Sequence, residues 1–448
     1  MQIIRQAQTL EITEQVDVLV VGGGPAGIGA AVSAAREGVS TMLLEKRGFL
    51  GGNITACYVE TCNYFMKGTP FTPEGIYAEI ETEFHKKYGS DDIREDAPSR
   101  FHSEHLKVYL DKFVRDAGVK LKLHAFVNEV ICDNGEIAAV IIQTKKGPVA
   151  IRAGVIIDTT GDADVAFSAG VPFEQGRERD GLCQPGTVSF RVAGADAKRL
   201  SEGGDMLKVH GRVFHEDYRA GKTGLSCKRQ DLPFGRLTKG GQVSYINYAC
   251  AYGLDPTDVD DLTKGEIECR EYIMEFYEYM KRYEGFENAE ISSMSPEIGF
   301  RDSRRIKGVY CLTIEDMEAD RQFEDCIAVY PRFYDMLAPD ANMEGDGSVE
   351  GKGYNGHIFE RVVGNRSFQI PYRSMVPVNV KNLLVAGRCL SSDHVAESGV
   401  RAISLCMMTG EAAGIAAAQA CKAGCSTADI DVKSMQGVLK KRGFTIPM

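Results

Sequence analysis

Several patterns that mark other classes of protein are missing from this sequence. None of its 13 cysteines stand in C-x-x-C pairs, which excludes thioredoxin-type redox motifs, zinc ribbons and ferredoxin clusters. Basic residues are outnumbered, with 52 Lys and Arg against 63 Asp and Glu and a formal net charge of −11. Nucleic-acid binding needs a basic surface. We therefore predict reduced thiols, no metal site and no nucleic-acid partner.

Long apolar runs are missing as well. The longest candidate, Gly410–Ala423, is rich in Ala and Gly and is interrupted by Glu411 and Gln419. It falls short of the roughly 18 apolar residues that a membrane-spanning helix requires. No Lys/Arg-headed signal peptide opens the chain, so we expect a cytoplasmic protein without a membrane partner. A local cluster of arginines can still bind an anionic ligand despite the negative total charge.

The strongest positive pattern is a βαβ unit over residues 17–45. An apolar strand leads into the loop Gly22-Gly23-Gly24-Pro25-Ala26-Gly27, an Ala-rich helix follows, and Glu45 ends the next strand. The three glycines of G-x-G-x-x-G serve a tight turn, close approach of a pyrophosphate, and packing of helix on strand. The helix N-terminus favours phosphate charge, and Glu45 is placed to accept hydrogen bonds from both ribose hydroxyls. The unit predicts a dinucleotide site, and taken alone it fits FAD and NAD equally.

The rest of the chain departs from the further βα repeats of a nicotinamide enzyme. Residues 72–118 have helical spacing, 119–155 alternate as a β-meander, and a short strand at 155–158 runs into Thr159-Thr160-Gly161-Asp162. Buried-strand character returns at 382–386 and is followed by a long small-residue helix predicted at 399–423. The middle differs and includes a helix at 266–283. Its aromatic residues have the spacing of a core-facing stripe: Tyr272, Phe276, Tyr279 and Tyr283.

Four segments resemble the FAD-dependent oxidoreductases of the glutathione-reductase-like superfamily. The closest resemblance is to a bacterial FAD-dependent oxidoreductase family of about this size. The segments are V-V-G-G-G-P-A-G-I-G-A-A (20–31), L-G-G-N-I-T (50–55), I-I-D-T-T-G-D-A-D-V-A (156–166), and N-L-L-V-A-G-R-C-L-S-S-D-H (382–394) with V-R-A-I-S-L-C-M-M-T-G-E-A-A-G (400–414). R-D-S-R-R-I (301–306) and I-P-Y-R-S (370–374) are also similar to family motifs.

The resemblance implies an α/β fold with a Rossmann-like FAD-binding domain and a β-meander. We predict that residues 1–168 and 374–448 form this domain. An inserted α+β substrate or cap domain at 169–373 interrupts it. The length of 448 residues agrees with two or three domains.

The resemblance also implies which residues bind a non-covalent FAD. Gly22, Gly24, Gly27 and Glu45 would bind the adenosine diphosphate, with Pro25, Ala26, Lys46 and Arg47 beside them; Gly51, Gly52 and Asn53 would follow the pyrophosphate and flavin; Gly161 and Asp162 would lie near the nucleotide half; Gly387, Arg388, Gly410 and Ala413 would lie near the ribityl chain and pyrimidine. The chain departs from the wider superfamily at Gly387-Arg388, where many members have Gly-Asp. This departure leaves the contact of Arg388 unassigned.

Candidate catalytic residues follow from the chemistry that a flavin needs on its open face. His394 suits proton transfer, with a loop histidine bonded to backbone as the alternative. Arg304 or Arg301 would clamp a substrate carboxylate, unless they pair with Asp302 or lie in solvent. Arg401 would bind substrate or cap the flavin.

Three other residues are predicted with less direct arguments. Tyr372 and Arg373 would line the substrate pocket from the inserted domain. Cys57 follows the G-G-N segment closely, and a packed core thiol is favoured over a flavin tether or a redox thiol.

The predicted activity is hydride transfer between flavin N5 and a small polar or anionic metabolite, by a dehydrogenase or a C=C reductase. The alternatives are a flavin monooxygenase and a flavin electron-transfer module that works with a partner protein. A structural protein with a vestigial nucleotide fold is a third alternative. His394 and the arginines of the R-D-S-R-R-I segment (301–306) disfavour it. The substrate and the electron donor or acceptor are not named by the sequence, and a homo-oligomer is an open possibility.

Overall fold

The structure is a computed structural model. It describes residues 9–62, 69–89, 100–201, 206–230, 232, 234–340 and 365–447, and the backbone of 358–361.

A seven-stranded mixed sheet forms the centre of the described structure. Its strands are β1 (Ile12–Val21), β2 (Thr41–Leu44), β3 (Lys120–Lys122), β4 (Phe126–Asp133), β5 (Glu136–Thr144), β6 (Gly147–Asp158) and β16 (Leu383–Val385). The strand order is β3-β2-β1-β6-β5-β4, and β16 pairs with β6. The β3-β2-β1-β6 and β6-β16 pairs are parallel, whereas β4-β5 and β5-β6 are antiparallel.

The last four residues of strand β1, 18–21, are buried on both faces of this sheet, as their uninterrupted apolar run predicts. Val18 and Val20 pack into one hydrophobic cluster, whereas Leu19 and Val21 pack into the cluster on the opposite face. The alternation follows from the two-residue period of side chains along a strand.

Strand β6 joins the meander to the parallel part of the sheet. The sequence predicts a separate short strand at 155–158, but the structure has one continuous strand from Gly147 to Asp158. Its first half pairs antiparallel with β5, and its last residues pair parallel with β16. Two partners on the same edge of one strand explain why the sequence pattern changes at this point.

Two helices cross in close contact on one face of the sheet: α1 (Pro25–Arg36) and α11 (Ile403–Ala423). A Cβ on Gly410 would lie 1.9 Å from the carbonyl oxygen of Ala26, so the crossing requires glycine there. The long helix predicted at 399–423 is wrong in one respect. Helix α10 (His394–Val400) precedes α11 and meets it at 89°, because Ala402 has an extended ψ of 133° and caps α11.

The middle of the chain has a second core around an antiparallel sheet, β10-β8-β9. These strands are β8 (Gly186–Ala193), β9 (Val243–Ala251) and β10 (Glu290–Met294), and helix α8 (Val259–Met280) covers them. The predicted aromatic stripe is confirmed, since Phe276, Tyr279 and Tyr283 are buried in this core and Tyr272 packs against it. The domain boundaries at 168/169 and 373/374 stay predictions.

The remaining elements are short strands and helices that complete the described structure. The strands are β7 (Phe173–Gln175), β11 (Arg304–Ile306), β12 (Cys326–Pro331), β13 (Phe333–Met336), β14 (Ile358–Arg361) and β15 (Ser367–Pro371). The helices are α2 (Asn53–Ala56), α3 (Gly75–Tyr88), α4 (Ser103–Asp116), α5 (Asp164–Ser168), α6 (Ala197–Ser201), α7 (Met206–Arg219), α9 (Ile314–Glu318) and α12 (Val432–Lys441).

Within the described ranges, no single helix combines the length and apolar composition needed to cross a bilayer. Helices α10 and α11 meet that test only as a bent pair. All 13 cysteines are free, and nine of them are buried.

Candidate active site

A cavity of about 830 Å³ lies at the carboxyl ends of four central strands. Gly22 follows β1, Glu45 follows β2, Thr159 follows β6 and Ala386 follows β16, and all four line it. Ligands of open α/β sheets bind at this edge, and the volume is in the range of small-molecule and cofactor sites. From there the cavity extends to residues of β8 and β9.

Most of the predicted site residues line this one cavity. From the predicted cofactor set these are Gly22, Gly24, Pro25, Ala26, Glu45, Lys46, Arg47, Gly52, Asn53, Gly161, Asp162, Gly387 and Arg388, and from the predicted catalytic set they are Arg301 and Arg401. The cavity therefore brings together residues that are as far apart in the chain as Gly22 and Arg401.

The glycine-rich loop forms one end of the cavity, which we call the glycine end. Gly22 has a φ of +106°, and a Cβ there would lie 2.4 Å from the Thr159 carbonyl oxygen. Gly24 caps α1 and Pro25 is its first residue, so the amides of the first helical turn, which have no partner inside the helix, lie beside the cavity. A helix N-terminus reached by a backbone without Cβ atoms fits a pyrophosphate.

Glu45 fixes this loop from the end of β2. Its side chain is buried, and the carboxylate accepts hydrogen bonds from the Gly23 amide at 2.7 Å and the Arg47 amide at 2.8 Å. The carboxylate also lines the cavity. The binding of the adenosine ribose hydroxyls by Glu45 stays a prediction.

Four predicted cofactor residues do not line the cavity and instead shape its wall. A Cβ on Gly27 would lie 1.7 Å from the Gly22 carbonyl oxygen, and one on Gly51 would lie 2.6 Å from the Thr55 hydroxyl oxygen. Gly410 lets α11 approach Ala26, and Ala413 is fully buried in the core. These four residues pack against neighbouring parts of the chain and do not line the cavity.

Arg388, whose contact the sequence leaves unassigned, binds the strand end after β6. Its Nε donates to the Gly161 carbonyl oxygen at 2.7 Å and its Nη2 donates to Asp162 at 2.5 Å. Burial of Asp162 favours its neutral form, but Arg388 and Lys46 outweigh burial and lower its pKa. Asp162 and Arg388, two of the predicted cofactor residues, thus form one ion pair on the cavity wall.

Another part of the cavity wall, which includes Arg301 and Arg401 and which we call the arginine end, is lined by charged side chains. Arg301 contacts neutral oxygens, the Pro185 carbonyl at 3.3 Å and the Thr187 hydroxyl at 3.5 Å. Arg401 donates to the backbone carbonyl of Asp335 and lies 3.4 Å from its carboxylate. Of these two arginines, only Arg401 has a carboxylate partner in the part of the chain that the structure describes.

The family of the chain follows from a match over nearly its whole length. A family model described as FAD dependent oxidoreductase matches residues 17–439. The chain belongs to this family. It is a flavoprotein oxidoreductase, and FAD is its cofactor. The bacterial origin and the glutathione-reductase-like superfamily implied by the sequence resemblance stay predictions.

Relatives of this FAD dependent oxidoreductase match it over part of their length. A thiamine thiazole synthase of Methanococcus aeolicus is 30% identical over 222 residues, covering 46% of this chain and 79% of the relative. A digeranylgeranylglycerophospholipid reductase 2 of Methanothermobacter thermautotrophicus is 28% identical over 248 residues, covering 52% of this chain and 60% of the relative. The solved structure of BexE aligns with a TM-score of 0.50 at 12% identity over 96% of this chain and 67% of that one. This likeness shows the fold alone.

Two residues of the flavoprotein's arginine end escape the sequence analysis. Tyr245 and Asn247 lie two residues apart on β9 and line the cavity. Asn247 is buried, its amide nitrogen donates to the Tyr245 hydroxyl at 3.2 Å, and its side-chain oxygen has no hydrogen-bond partner. Tyr245 has a φ of +53°, which is costly for a bulky residue. The signal is a pair of polar residues at i and i+2 in an apolar strand, which share a face.

His394 does not lie in a loop that faces the cavity. It is the first residue of α10, its imidazole is 5% exposed, and Nδ1 lies 3.1 Å from Asp302 Oδ2. Asp393 caps the helix by accepting a hydrogen bond from the Ala396 amide at 2.7 Å. This cap places His394 in the first helical turn and buries it.

Arg304, which the sequence favours as the carboxylate clamp, does not line the cavity. It is on the short strand β11, pairs with Asp164 at 2.6 Å and stacks 4.3 Å from the centre of the Phe167 ring. Arg305 is buried and donates to backbone carbonyls of Ser392 and Gly176. Neither Arg304 nor Arg301 pairs with Asp302, which is the alternative to a substrate clamp.

The less direct predictions also fall outside the cavity wall. Tyr372 is buried and its hydroxyl donates to the Thr427 carbonyl at 2.6 Å. Arg373 pairs with Asp325 at 2.9 Å. Cys57 is a packed core thiol, as favoured, and burial raises its pKa to about 11. In the described residues, no group of three or more His, Cys, Asp or Glu is placed to hold a metal ion.

Proposed function

We propose that this flavoprotein transfers hydride between FAD bound along the glycine end and a small polar or anionic metabolite bound at the arginine end. One observation carries the proposal: a single cavity joins the nucleotide-binding loop to a polar wall from the middle of the chain. A cofactor and a substrate can therefore meet inside it without a change of fold. Dehydrogenation of a C–H or alcohol carbon and reduction of an activated C=C bond both fit.

The charges of the arginine end support an anionic substrate. Three carboxylates that line the cavity each have an arginine partner: Glu266 with Arg270 at 2.8 Å, Glu297 with Arg47, and Asp335 with Arg401 at 3.4 Å. Arg301 has none among the described residues. A guanidinium fork without a carboxylate partner is the group that binds a substrate carboxylate in two parallel hydrogen bonds.

The protein's own residues bind the cofactor and orient the substrate. When bound, FAD supplies hydride exchange at its N5 atom. The first amides of α1 bind the pyrophosphate, and Arg388 with Asp162 holds the adjoining wall. Helix α11 presents its N-terminus, with Ala402 and Ile403, to the cavity. Its amides and dipole are placed to stabilise negative charge that develops during transfer. Arg301 would orient the substrate, and Asn247 would hold a polar group beside it.

The test begins with the purified protein's absorption spectrum and its reduction without oxygen. Two results support the proposal. In the first, the flavin bands are bleached by a hydroxy acid or an amino acid that donates hydride to the oxidised enzyme. In the second, the bands of chemically reduced enzyme return when an enoate accepts hydride from it. A colourless protein that ignores added FAD would overturn it. Reduction by NADPH with substrate-stimulated oxygen consumption would favour a monooxygenase instead, and exchange of electrons only with a partner protein would favour an electron-transfer module.

A further inference from the structure

A buried carboxyl group lies directly behind the arginine end. Glu397, on α10, has no exposed surface, and neither of its carboxyl oxygens has a hydrogen-bond partner. The nearest cation is Arg401, whose Nε is 4.0 Å from Glu397 Oε2. Buried carboxylates are normally paired and hydrogen-bonded because desolvation of an unpaired charge is costly. Glu397 breaks this rule beside the cofactor cavity.

A second buried pair lies in the same region. Asp302 is 1% exposed and faces the imidazole of His394, and both ring nitrogens of His394 lack a hydrogen bond of good geometry. The charged groups that act on Glu397 are Arg401 from the end of its own helix, Asp302, Arg305 and Arg388, with the thiols of Cys183 and Cys406 also within its field. Arg388 and Arg401 both line the cavity, so charge inside the cavity and charge on Glu397 act on the same two guanidinium groups.

The balance of these groups places the titration of Glu397 near neutrality. Burial raises its pKa to about 8, Arg401 acts in the opposite direction, and Asp302 adds to the rise. Ionised Glu397 neutralises part of the Arg401 charge. Protonated Glu397 leaves that charge directed at the cavity.

We propose that Glu397 takes up one proton when electrons enter the cavity and releases it when they leave. This inference rests on the proposed function. The proton comes from solvent and returns to it, so no bond of the substrate is made or broken by Glu397. Added negative charge in the cavity attracts Arg401, the Arg401–Glu397 interaction weakens, and the proton restores the balance of charge. Glu397 is thus a positioning residue that acts through Arg401.

The deciding measurement is the midpoint potential of the bound flavin against pH, from about pH 6 to 9. For a two-electron couple that takes up one proton, a tenfold change in proton concentration shifts the potential by about 30 mV. Around the titration of Glu397 we expect the wild-type slope to exceed that of Glu397→Gln by up to about 30 mV per pH unit. Glu411→Gln is the matched control, because Glu411 is an equally buried carboxyl, paired with Arg442 at 3.1 Å and outside the cavity wall. It should retain the wild-type slope, and equal slopes in wild type and Glu397→Gln would overturn the inference.

A second measurement needs no electrons and no substrate. Because the folded pKa of Glu397 exceeds its ordinary value of 4.5, the folded chain holds a proton that the unfolded chain has lost between about pH 4.5 and 8. Its contribution to the free energy of unfolding therefore falls as pH rises through that window. We expect Glu397→Gln to remove this decline from the apoprotein, and parallel stability curves would contradict the inference.

If Glu397→Gln does not fold, infrared difference spectra of the wild-type protein test the inference without a variant. At or above pH 8, where a large share of Glu397 is ionised before electrons enter, reduction should give the carbonyl band of a newly protonated carboxylic acid, and its absence would overturn the inference. A protein that binds no flavin would sink the proposed function instead. If the protein binds flavin that substrate reduces, but the midpoint potential has the same pH dependence in wild type and Glu397→Gln, only the role of Glu397 is overturned.

Discussion

The two ends of the cavity are built by different means. At the glycine end, position is set by backbone: Gly22 and Gly27 leave no room for a Cβ, and Gly24 brings the start of α1 to the cavity. At the arginine end, position is set by side chains whose charges are matched in pairs, with Arg301 unmatched among the described residues and Glu397 buried without a hydrogen bond.

The difference explains what each end can vary. A backbone cradle recognises a feature common to all molecules of one cofactor, its pyrophosphate, and tolerates almost no substitution. A set of paired side chains can be changed one residue at a time, so substitutions there can adapt the site to a different substrate. Stability should therefore depend mostly on the glycine end, and choice of substrate on the arginine end.

The largest expected effect separates two glycines of the same loop. In Gly27→Ala the new Cβ would lie 1.7 Å from the Gly22 carbonyl oxygen, so the strand or the helix must move, at a cost of about 3 kcal/mol. In Gly24→Ala the Cβ has an ordinary contact of 3.8 Å with Gly52 and faces the cavity. Urea unfolding should show a destabilised Gly27→Ala and a folded Gly24→Ala that binds FAD roughly 10- to 100-fold more weakly.

Gly437→Ala is the control for this pair. It lies in α12, nothing is within 4 Å of its Cβ position, and alanine should stabilise the helix by up to about 1 kcal/mol. A Gly27→Ala protein as stable as the wild type would mean that backbone packing does not define the glycine end.

Removal of the Arg304 side chain comes next in size. Arg304 pairs with Asp164, and burial raises the pKa of Asp164 to about 6, with Asp162 and Asp158 adding to it and Arg304 opposing it. We expect Arg304→Ala to cost about 1–3 kcal/mol at pH 8, where Asp164 is ionised and has lost its partner, and less at pH 5. The measurement is the free energy of unfolding at both pH values.

The same variant tests the division between the two roles. Since Arg304 lies outside the cavity wall, substrate should reduce the bound flavin of Arg304→Ala at close to the wild-type rate. A rate loss with unchanged stability would return Arg304 to the substrate site that the sequence predicts for it.

Arg301→Ala should have the opposite profile, with stability kept and reaction impaired. Loss of a charge-assisted hydrogen bond costs about 1.5–3 kcal/mol, which corresponds to a roughly 10- to 100-fold lower kcat/KM for an anionic substrate. Arg301→Lys should recover part of this, because lysine keeps the charge but not the fork. Arg179→Ala, at an exposed arginine outside the cavity, is the control. Equal rates in Arg301→Ala and wild type would place substrate binding elsewhere.

The glycine end was predictable from the sequence because its determinants are local. A strand, a glycine loop, a helix and Glu45 follow one another within 17–45, and each has a fixed structural role. The exceptions are Gly27, Gly51, Gly410 and Ala413, which do not line the cavity. No spacing rule distinguishes a small residue that contacts a ligand from one that packs against the chain.

The arginine end was only partly predictable because it depends on strand phase and long-range pairing. In R-D-S-R-R-I, Arg301 lines the cavity. Arg304 and Arg305, three and four residues later, instead bind groups of other elements: Arg304 binds Asp164, and Arg305 binds backbone carbonyls. His394 depended on whether Asp393 caps a helix, which a single sequence does not settle. Asn247 required knowing which face of β9 meets the cavity.

The smallest expected effect concerns Lys46, an exposed cation at the edge of the glycine end. Lys46 lines the cavity and its charge lowers the pKa of Asp162. If it attracts the cofactor's phosphates only through solvent, Lys46→Met should weaken FAD binding about two- to five-fold at low salt, since exposed charges contribute below about 1 kcal/mol. Titration of apoprotein with FAD in 0.5 M salt should abolish most of the difference, because ions there screen charges beyond a few ångströms. A larger loss that salt does not reduce would show that a side chain, and not backbone alone, holds the cofactor at the glycine end.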